Sequence, residues 1–313
     1  MSFSSDVKNE VARIEGEDKC CELAELFGLL RISGSVSLQG KKVGINFSTE
    51  NAALARRTLR LLKDNFHIQT EVVITRSRRL KKNNRYQVRV IPSEEARLAL
   101  RNLQLLAPLE EGKLHLLKKS CCRKAFLRGI FLAGGSVNKP LSDYHLEMVS
   151  DNEDLAKLVL QIMQRFSLPA KMIDRKKDYI VYIKEGNAVT SFLSVIGAYN
   201  SLLEFENIRI VKEMRNNVNR IVNCETANLN KVVHAAVKQI ACIKYIAENG
   251  GLQNLPILLK EAAELRMAHK EAPVGELAAM CEKPVSKSGF NHRLKHLEKL
   301  AEGMGFERIG KKE

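Results

Sequence analysis

Two cysteine doublets, Cys20-Cys21 and Cys121-Cys122, stand 101 positions apart in this 313-residue chain, and that offset organises its first two thirds. The same shift lays Leu26, Gly28, Leu29, Gly34, Ser35 and Val36 on Leu127, Gly129, Ile130, Gly135, Ser136 and Val137. It also lays Thr49-Glu50-Asn51 on Ser150-Asp151-Asn152, and Leu54 and Leu59 on Leu155 and Leu160. After a net loss of several residues, Arg85-Tyr86-Gln87-Val88 matches Asp178-Tyr179-Ile180-Val181. A duplicated unit of roughly a hundred residues is far longer than the period of a solenoid.

Each unit reads alike. An apolar helix, Glu22 to Ile32 or Arg123 to Leu132, ends at a Gly-Ser break where glycine permits a turn. Val43, Ile45 and Phe47 alternate as in a half-buried strand. Thr49 and Ser150 are suited to cap the next helix, with Leu54, Leu59 and Leu62 on one face. Two strands follow, Glu71 to Arg76 and Tyr86 to Ile91 in the first unit, Lys171 to Asp174 and Tyr179 to Ile183 in the second. A last helix, Glu94 to Leu106 or Ala188 to Ile196, gives the order αββαββα twice. The fold class is therefore α+β, with one face of each sheet covered by helices and the other left to solvent or a ligand.

Leu26-Phe27-Gly28-Leu29-Leu30-Arg31-Ile32-Ser33-Gly34 and Leu127-Arg128-Gly129-Ile130-Phe131-Leu132-Ala133-Gly134-Gly135 resemble two decayed LAGLIDADG motifs. In single-chain LAGLIDADG homing endonucleases such helices pair at a pseudo-two-fold axis, and their penultimate acid holds catalytic metal. Gly28 and Gly129 are small enough for that close approach. The acids, however, are gone: Ser33 and Gly134 occupy the two degenerate catalytic positions. Hydrolysis of a phosphodiester with a divalent metal needs hard oxygen ligands, which neither supplies. Asp143, Glu147 and Asp151 lie nearby but read as loop or helix-start residues. The expectation is a chain without catalytic residues, metal site or cofactor.

Formal net charge is +15, an excess that attracts polyanions, nucleic acid above all. No run of about 18 apolar residues spans a membrane, and the first residues lack the order of a signal peptide. An odd seven cysteines without C-x-x-C spacing argue against disulfides and zinc, leaving buried thiols in a reducing cytoplasm. Basic residues cluster between the last strands of each unit: Arg76, Arg78, Arg79 and Lys81 in the first, Arg175 and Lys176 in the second. Phosphate contact and a charge-blunted sheet edge explain them equally well.

After Ile210 an asparagine-rich stretch carries Asn219, Arg220 and Asn228, which either cap, join domains or touch DNA. A helix is expected from Leu229 to Glu248, with Val233, Val237 and Ile240 at helical spacing and Gly250-Gly251 as the stop. Further on, a short helix from Val274 to Cys281 leads through a tight connection to a longer one opening at Ser286, a fitting N-cap. Phe290, Leu294, Leu297 and Ala301 share its apolar face. Two helices on a short turn form a helix-turn-helix, whose second helix enters the major groove. Opposite the apolar face stand Ser288, His292 and Lys295, with Asn291 on the flank, as readers of base edges; asparagine suits adenine. Lys283, Lys287, Arg293 and Lys299 suit phosphates.

Together, the degenerate double LAGLIDADG unit, the stretch Asn219-Arg220 through Asn223-Cys224-Glu225-Thr226-Ala227-Asn228, and Leu277-Ala278 with Ser286-Lys287-Ser288-Gly289-Phe290-Asn291-His292-Arg293-Leu294 resemble the WhiA family over essentially the whole chain. The resemblance implies a bacterial transcription factor tied to sporulation, cell division and chromosome segregation. It would be nucleoid-associated and monomeric, binding double-stranded DNA and a protein of the transcription or division machinery. On this reading the chain runs as an N-terminal helical segment (1–19), repeat 1 (20–107), a connector (108–120), repeat 2 (121–212), a linker with a long helix (213–250) and a helix-turn-helix domain (251–313). The rival readings are a division factor that uses DNA as a tether and an active endonuclease.

Overall fold

The structure is a computed structural model; it describes residues 2–15, 18–40, 42–76, 84–105, 109, 114–141 and 143–306. Two compact units result, Met1–Glu213 and Met214–Glu313.

The first unit opens with helix α1 (Phe3–Val11), capped by the Ser2 hydroxyl on the Ser5 amide. Repeat 1 runs α2 (Lys19–Ser33), β1 (Gly34–Gln39), β2 (Lys42–Thr49), α3 (Ala52–Phe66), β3 (Thr70–Arg76), β4 (Asn84–Ser93) and α4 (Glu94–Asn102). Repeat 2 runs α5 (Ser120–Gly134), β5 (Gly135–Val137), β6 (Leu146–Ser150), α6 (Glu153–Arg165), β7 (Lys171–Arg175), β8 (Asp178–Ile183) and α7 (Gly186–Ile196). The expected αββαββα order appears twice. Each repeat folds into an antiparallel four-stranded sheet, in the order β1-β2-β4-β3 or β5-β6-β8-β7. The period of two puts Ile45, Phe47, Val88 and Val90 under the helices; Val36 and Val72, paired with Ile45 and Val88, share that face but lie exposed on the edge strands, as do Leu38 and Ile74.

Helices α2 and α5 run side by side, and glycine is why they lie so close. A Cβ on Gly129 would stand 2.3 Å from the Glu25 carbonyl oxygen, and one on Gly28 2.7 Å from that of Phe126. The contacts of this pair obey the repeat's symmetry in position but not in chemistry. Arg128 Nε donates to Glu25 Oε2 at 2.8 Å. The offset that carries Glu25 to Phe126 carries Phe27 to Arg128. The equivalent contact is therefore Phe27 against Phe126, stacked with ring centroids 5.6 Å apart. Glu25 is wholly buried and also takes two hydrogen bonds from Arg57, at 2.7 and 2.9 Å.

Three local expectations are corrected. Thr49 and Ser150 are not the helix caps: Asn51 accepts from the Ala53 and Leu54 amides, and Asn152 from Leu155. The two hydroxyls act one step earlier, accepting from the Asn51 and Asn152 amides. The break after α2 needs glycine for space rather than for a left-handed backbone: Gly34 has φ −91°, but a Cβ would stand 2.4 Å from the Leu30 carbonyl oxygen. The asparagine-rich stretch is not an irregular linker. It lies within α8, which runs unbroken from Tyr199 to Asn249. Its first amides are satisfied from far along the chain, since Glu10 accepts from the Asn200 and Ser201 amides at 2.8 and 2.9 Å. The buried face near its far end is Ala236, Gln239, Cys242, Ile243 and Ile246, so Val233 and Val237 point outward instead. Gly251, at φ +70°, follows the stop, and its amide bonds to the Ile246 carbonyl.

The second unit packs that end of α8 with α9 (Ile257–Ala268), α10 (Val274–Ala279) and α11 (Lys287–Gly303). Its core holds Leu259, Ala262, Ala263, Leu277, Ala278 and Cys281 together with Phe290, Leu294, Leu297 and Ala301, the stripe read from the sequence.

Candidate nucleic-acid interface

Ser286 starts α11 as expected: its hydroxyl accepts from the Gly289 amide at 3.1 Å and pairs with the Ser288 hydroxyl at 2.9 Å. Burial of Phe290, Leu294, Leu297 and Ala301 fixes the helix's rotation. It leaves Ser288, His292, Lys295 and Lys299 exposed on the opposite side, with Asn291 half-buried at its flank. Lys283, in the turn, and Lys287 are exposed as well.

What makes this face cationic is where the acids go. Glu298 and Glu302 of α11 both turn to Lys238, at 2.6 and 3.5 Å, and the hydrogen bond that Lys238 donates to Glu298 raises the Lys238 pKa. Lys295 and Lys299 keep their charge outward.

Arg293 is placed differently from its expected phosphate role. Its Nη1 donates to Glu261 Oε2 at 2.9 Å, and the other oxygen of Glu261 accepts from the Glu282 amide at 2.8 Å. One carboxylate thus joins α9, the turn and α11. Nearby, Arg266 is buried and donates to the Ala272 carbonyl at 2.7 Å, holding the segment between α9 and α10. Sequence reasoning missed both links, because partners separated by a turn leave no periodic trace.

The other candidate contacts scatter. Arg76 ends β3, exposed, while Arg78, Arg79 and Lys81 lie outside the described residues. Arg175 ends β7 and Lys176, at φ +65°, opens the turn to β8, both exposed. Asn219, Arg220 and Asn228 are exposed on α8.

At the degenerate catalytic positions the geometry goes further than the sequence. Ser33 and Gly134 close α2 and α5, and a Cβ on Gly134 would stand 2.7 Å from the Val149 carbonyl oxygen and 2.9 Å from Ile32 Cγ2. No side chain fits there without a shift. Glu147, the nearby acid on β6, is engaged by the Ser136 hydroxyl at 3.1 Å and by His145 at 3.0 Å.

A duplicated LAGLIDADG-like fold followed by a helix-turn-helix domain defines a class of two-part protein. The chain belongs to the WhiA family. The family's N-terminal LAGLIDADG-like domain matches residues 19–106, its LAGLIDADG-like domain residues 123–215, and its C-terminal HTH domain residues 218–301. The chain is 45% identical over 310 residues to a protein of Alkaliphilus metalliredigens named probable cell division protein WhiA, covering 96% of this chain and 98% of that one. A namesake from Desulforamulus reducens is 47% identical over 308 residues, covering 96% of each. Among solved structures, full-length DUF199/WhiA from Thermatoga maritima is similar with a TM-score of 0.59 and 28% identity, over 99% of this chain and 100% of that one. No described helix is long and apolar enough to cross a membrane.

Proposed function

We propose that this protein is a sequence-specific regulator of transcription. It binds double-stranded DNA through α11, performs no chemistry on it, and acts at the nucleoid in the control of division, chromosome segregation or sporulation. The observation that carries this reading is the exposed face of α11, whose acids are turned inward to Lys238 while its bases point out. Asn291 reads adenine, and Ser288, His292 and Lys295 reach neighbouring base edges. Lys283, Lys287 and Lys299 hold phosphates. Arg293 is left out, since Glu261 holds it. Arg76, Arg175 and Lys176 add salt-sensitive affinity without choosing sequence. The names of the relatives support the link to division.

The test is selection of random duplexes by the full-length chain, followed by affinity at several salt concentrations. Asn291→Ala costs about 1–3 kcal/mol at the selected site and relaxes base preference. Lys299→Ala weakens all sequences alike and lowers the salt slope by about one. An Asn291→Ala protein with unchanged affinity and preference removes Asn291 as a reader; a chain that enriches no motif removes the proposal.

A further inference from the structure

The cysteine doublets that reveal the duplication also meet in space. Cys20 and Cys21 lie in the first turn of α2, and Cys121 and Cys122 in the first turn of α5. Because the glycines hold these helices together in parallel, their N-terminal ends converge. The four Sγ atoms all lie within 4.8 Å of one another. The sequence argument against zinc was the lack of C-x-x-C spacing; the fold supplies the four thiols from two helices instead.

We propose that Cys20, Cys21, Cys121 and Cys122 form a structural metal centre that binds one zinc ion as a tetrathiolate and clamps the two repeats together. Zinc–sulfur bonds of about 2.3 Å in a tetrahedron set the sulfurs about 3.8 Å apart, within the observed spread. The surroundings suit the charge. A zinc tetrathiolate is dianionic, and two helix N-termini direct positive potential at it. Lys119 Nζ lies 3.9 Å from Cys20 Sγ. Lys118 lines the same cavity as Cys20 and Cys122.

Plain hydrophobic packing accounts for Cys21 and Cys122, which are buried, but not for Cys121, which is exposed. Loading is an exchange without redox change: each thiol that is still protonated gives its proton to solvent as its sulfur bonds the metal. Cys121, exposed, and Cys20, partly exposed, give the ion a way in.

The experiment uses the full chain, stripped of metal by chelation under reductant and titrated with cobalt(II). The expected result is one cobalt per chain, with thiolate charge-transfer absorption and the strong visible bands of tetrahedral cobalt, displaced by one equivalent of zinc. Zinc raises the melting temperature of the stripped protein. Cys21→Ser and Cys121→Ser lose the spectrum, whereas Cys224→Ser, at an exposed thiol outside the cluster, retains it. Circular dichroism separates lost binding from lost folding, and the exposed Cys121 position makes the second variant the milder one. A wild-type chain that shows only weak octahedral cobalt absorption overturns the proposal. So does a tetrahedral spectrum that survives both substitutions, or a doublet-to-doublet disulfide in the folded protein that leaves no thiolates to bind.

Discussion

Arg293 and Glu261 sit 2.9 Å apart on neighbouring helices, and their pairing makes a residue of α11 a part of that helix's scaffold. Both side chains are mostly shielded, at 15% and 21% exposure, so the pair is screened less than a surface ion pair. Arg293→Met is expected to cost about 1–2 kcal/mol of stability, and a double-mutant cycle with Glu261→Gln to return a coupling of about 1 kcal/mol. Urea unfolding measures both. If the single variants simply add, the pair holds nothing together. DNA affinity then falls only as far as folding does, which sets Arg293 apart from Lys299.

Restoring acids at the degenerate catalytic positions is expected to cost stability rather than recover a nuclease. Gly134→Asp forces a Cβ against the Val149 carbonyl and Ile32, an overpacking worth about 1–3 kcal/mol or more, so its melting temperature drops. Ser33→Asp, at a partly exposed helix end, is tolerated. Neither variant, nor the pair, nicks supercoiled DNA in magnesium or manganese. Metal-dependent nicking by the wild-type chain that disappears in Glu147→Gln would refute this.

Stability is also expected to follow one lysine. Burial pushes the Lys8 ammonium from its ordinary 10.5 down to about 8, with its Nζ over the Phe131 ring at 5.9 Å. A lowered lysine means the unfolded chain binds more protons between those two values, so stability rises with pH across that window. Below pH 8 the lysine is charged in both states and the cost is constant. Lys8→Met is therefore more stable near pH 7, by up to about 3 kcal/mol, with the gain shrinking above pH 8 and gone beyond 10.5. Thermal melts of both proteins from pH 6 to about 10 test it; parallel curves dismiss Lys8 as the source.

The duplicated fold was legible because two periods agree in it: the 101-residue offset, and the alternation that buries Ile45 and Phe47. Helix α11 was legible because one apolar stripe and one serine cap fix its rotation and start. Helix α8 was legible only from Leu229 onward. From Glu213 to Ala235 every residue is exposed, and the apolar positions at helical spacing there, Met214, Val218, Ile221, Val222 and Leu229, are interrupted in the sequence by Asn216, Asn217, Asn219 and Asn223. Asparagine, a weak helix former, then reads as a breaker. The thiol cluster was hidden for another reason. Its four members are local pairs in sequence, and only the parallel packing of α2 and α5 makes them a group.

The unlike contacts at the helix pair carry a consequence for the two halves. A second copy of repeat 1 in the place of repeat 2 would set the buried Glu25 against Phe27 twice over, leaving each carboxylate to Arg57 and without its Arg128 partner. A second copy of repeat 2 would face Phe126 with Arg128 and leave two guanidiniums without Glu25. Each half is thus a lock cut for the other's key: the halves still look like twins in their backbone, yet the ion pair between Glu25 and Arg128 forms only when one of each is present.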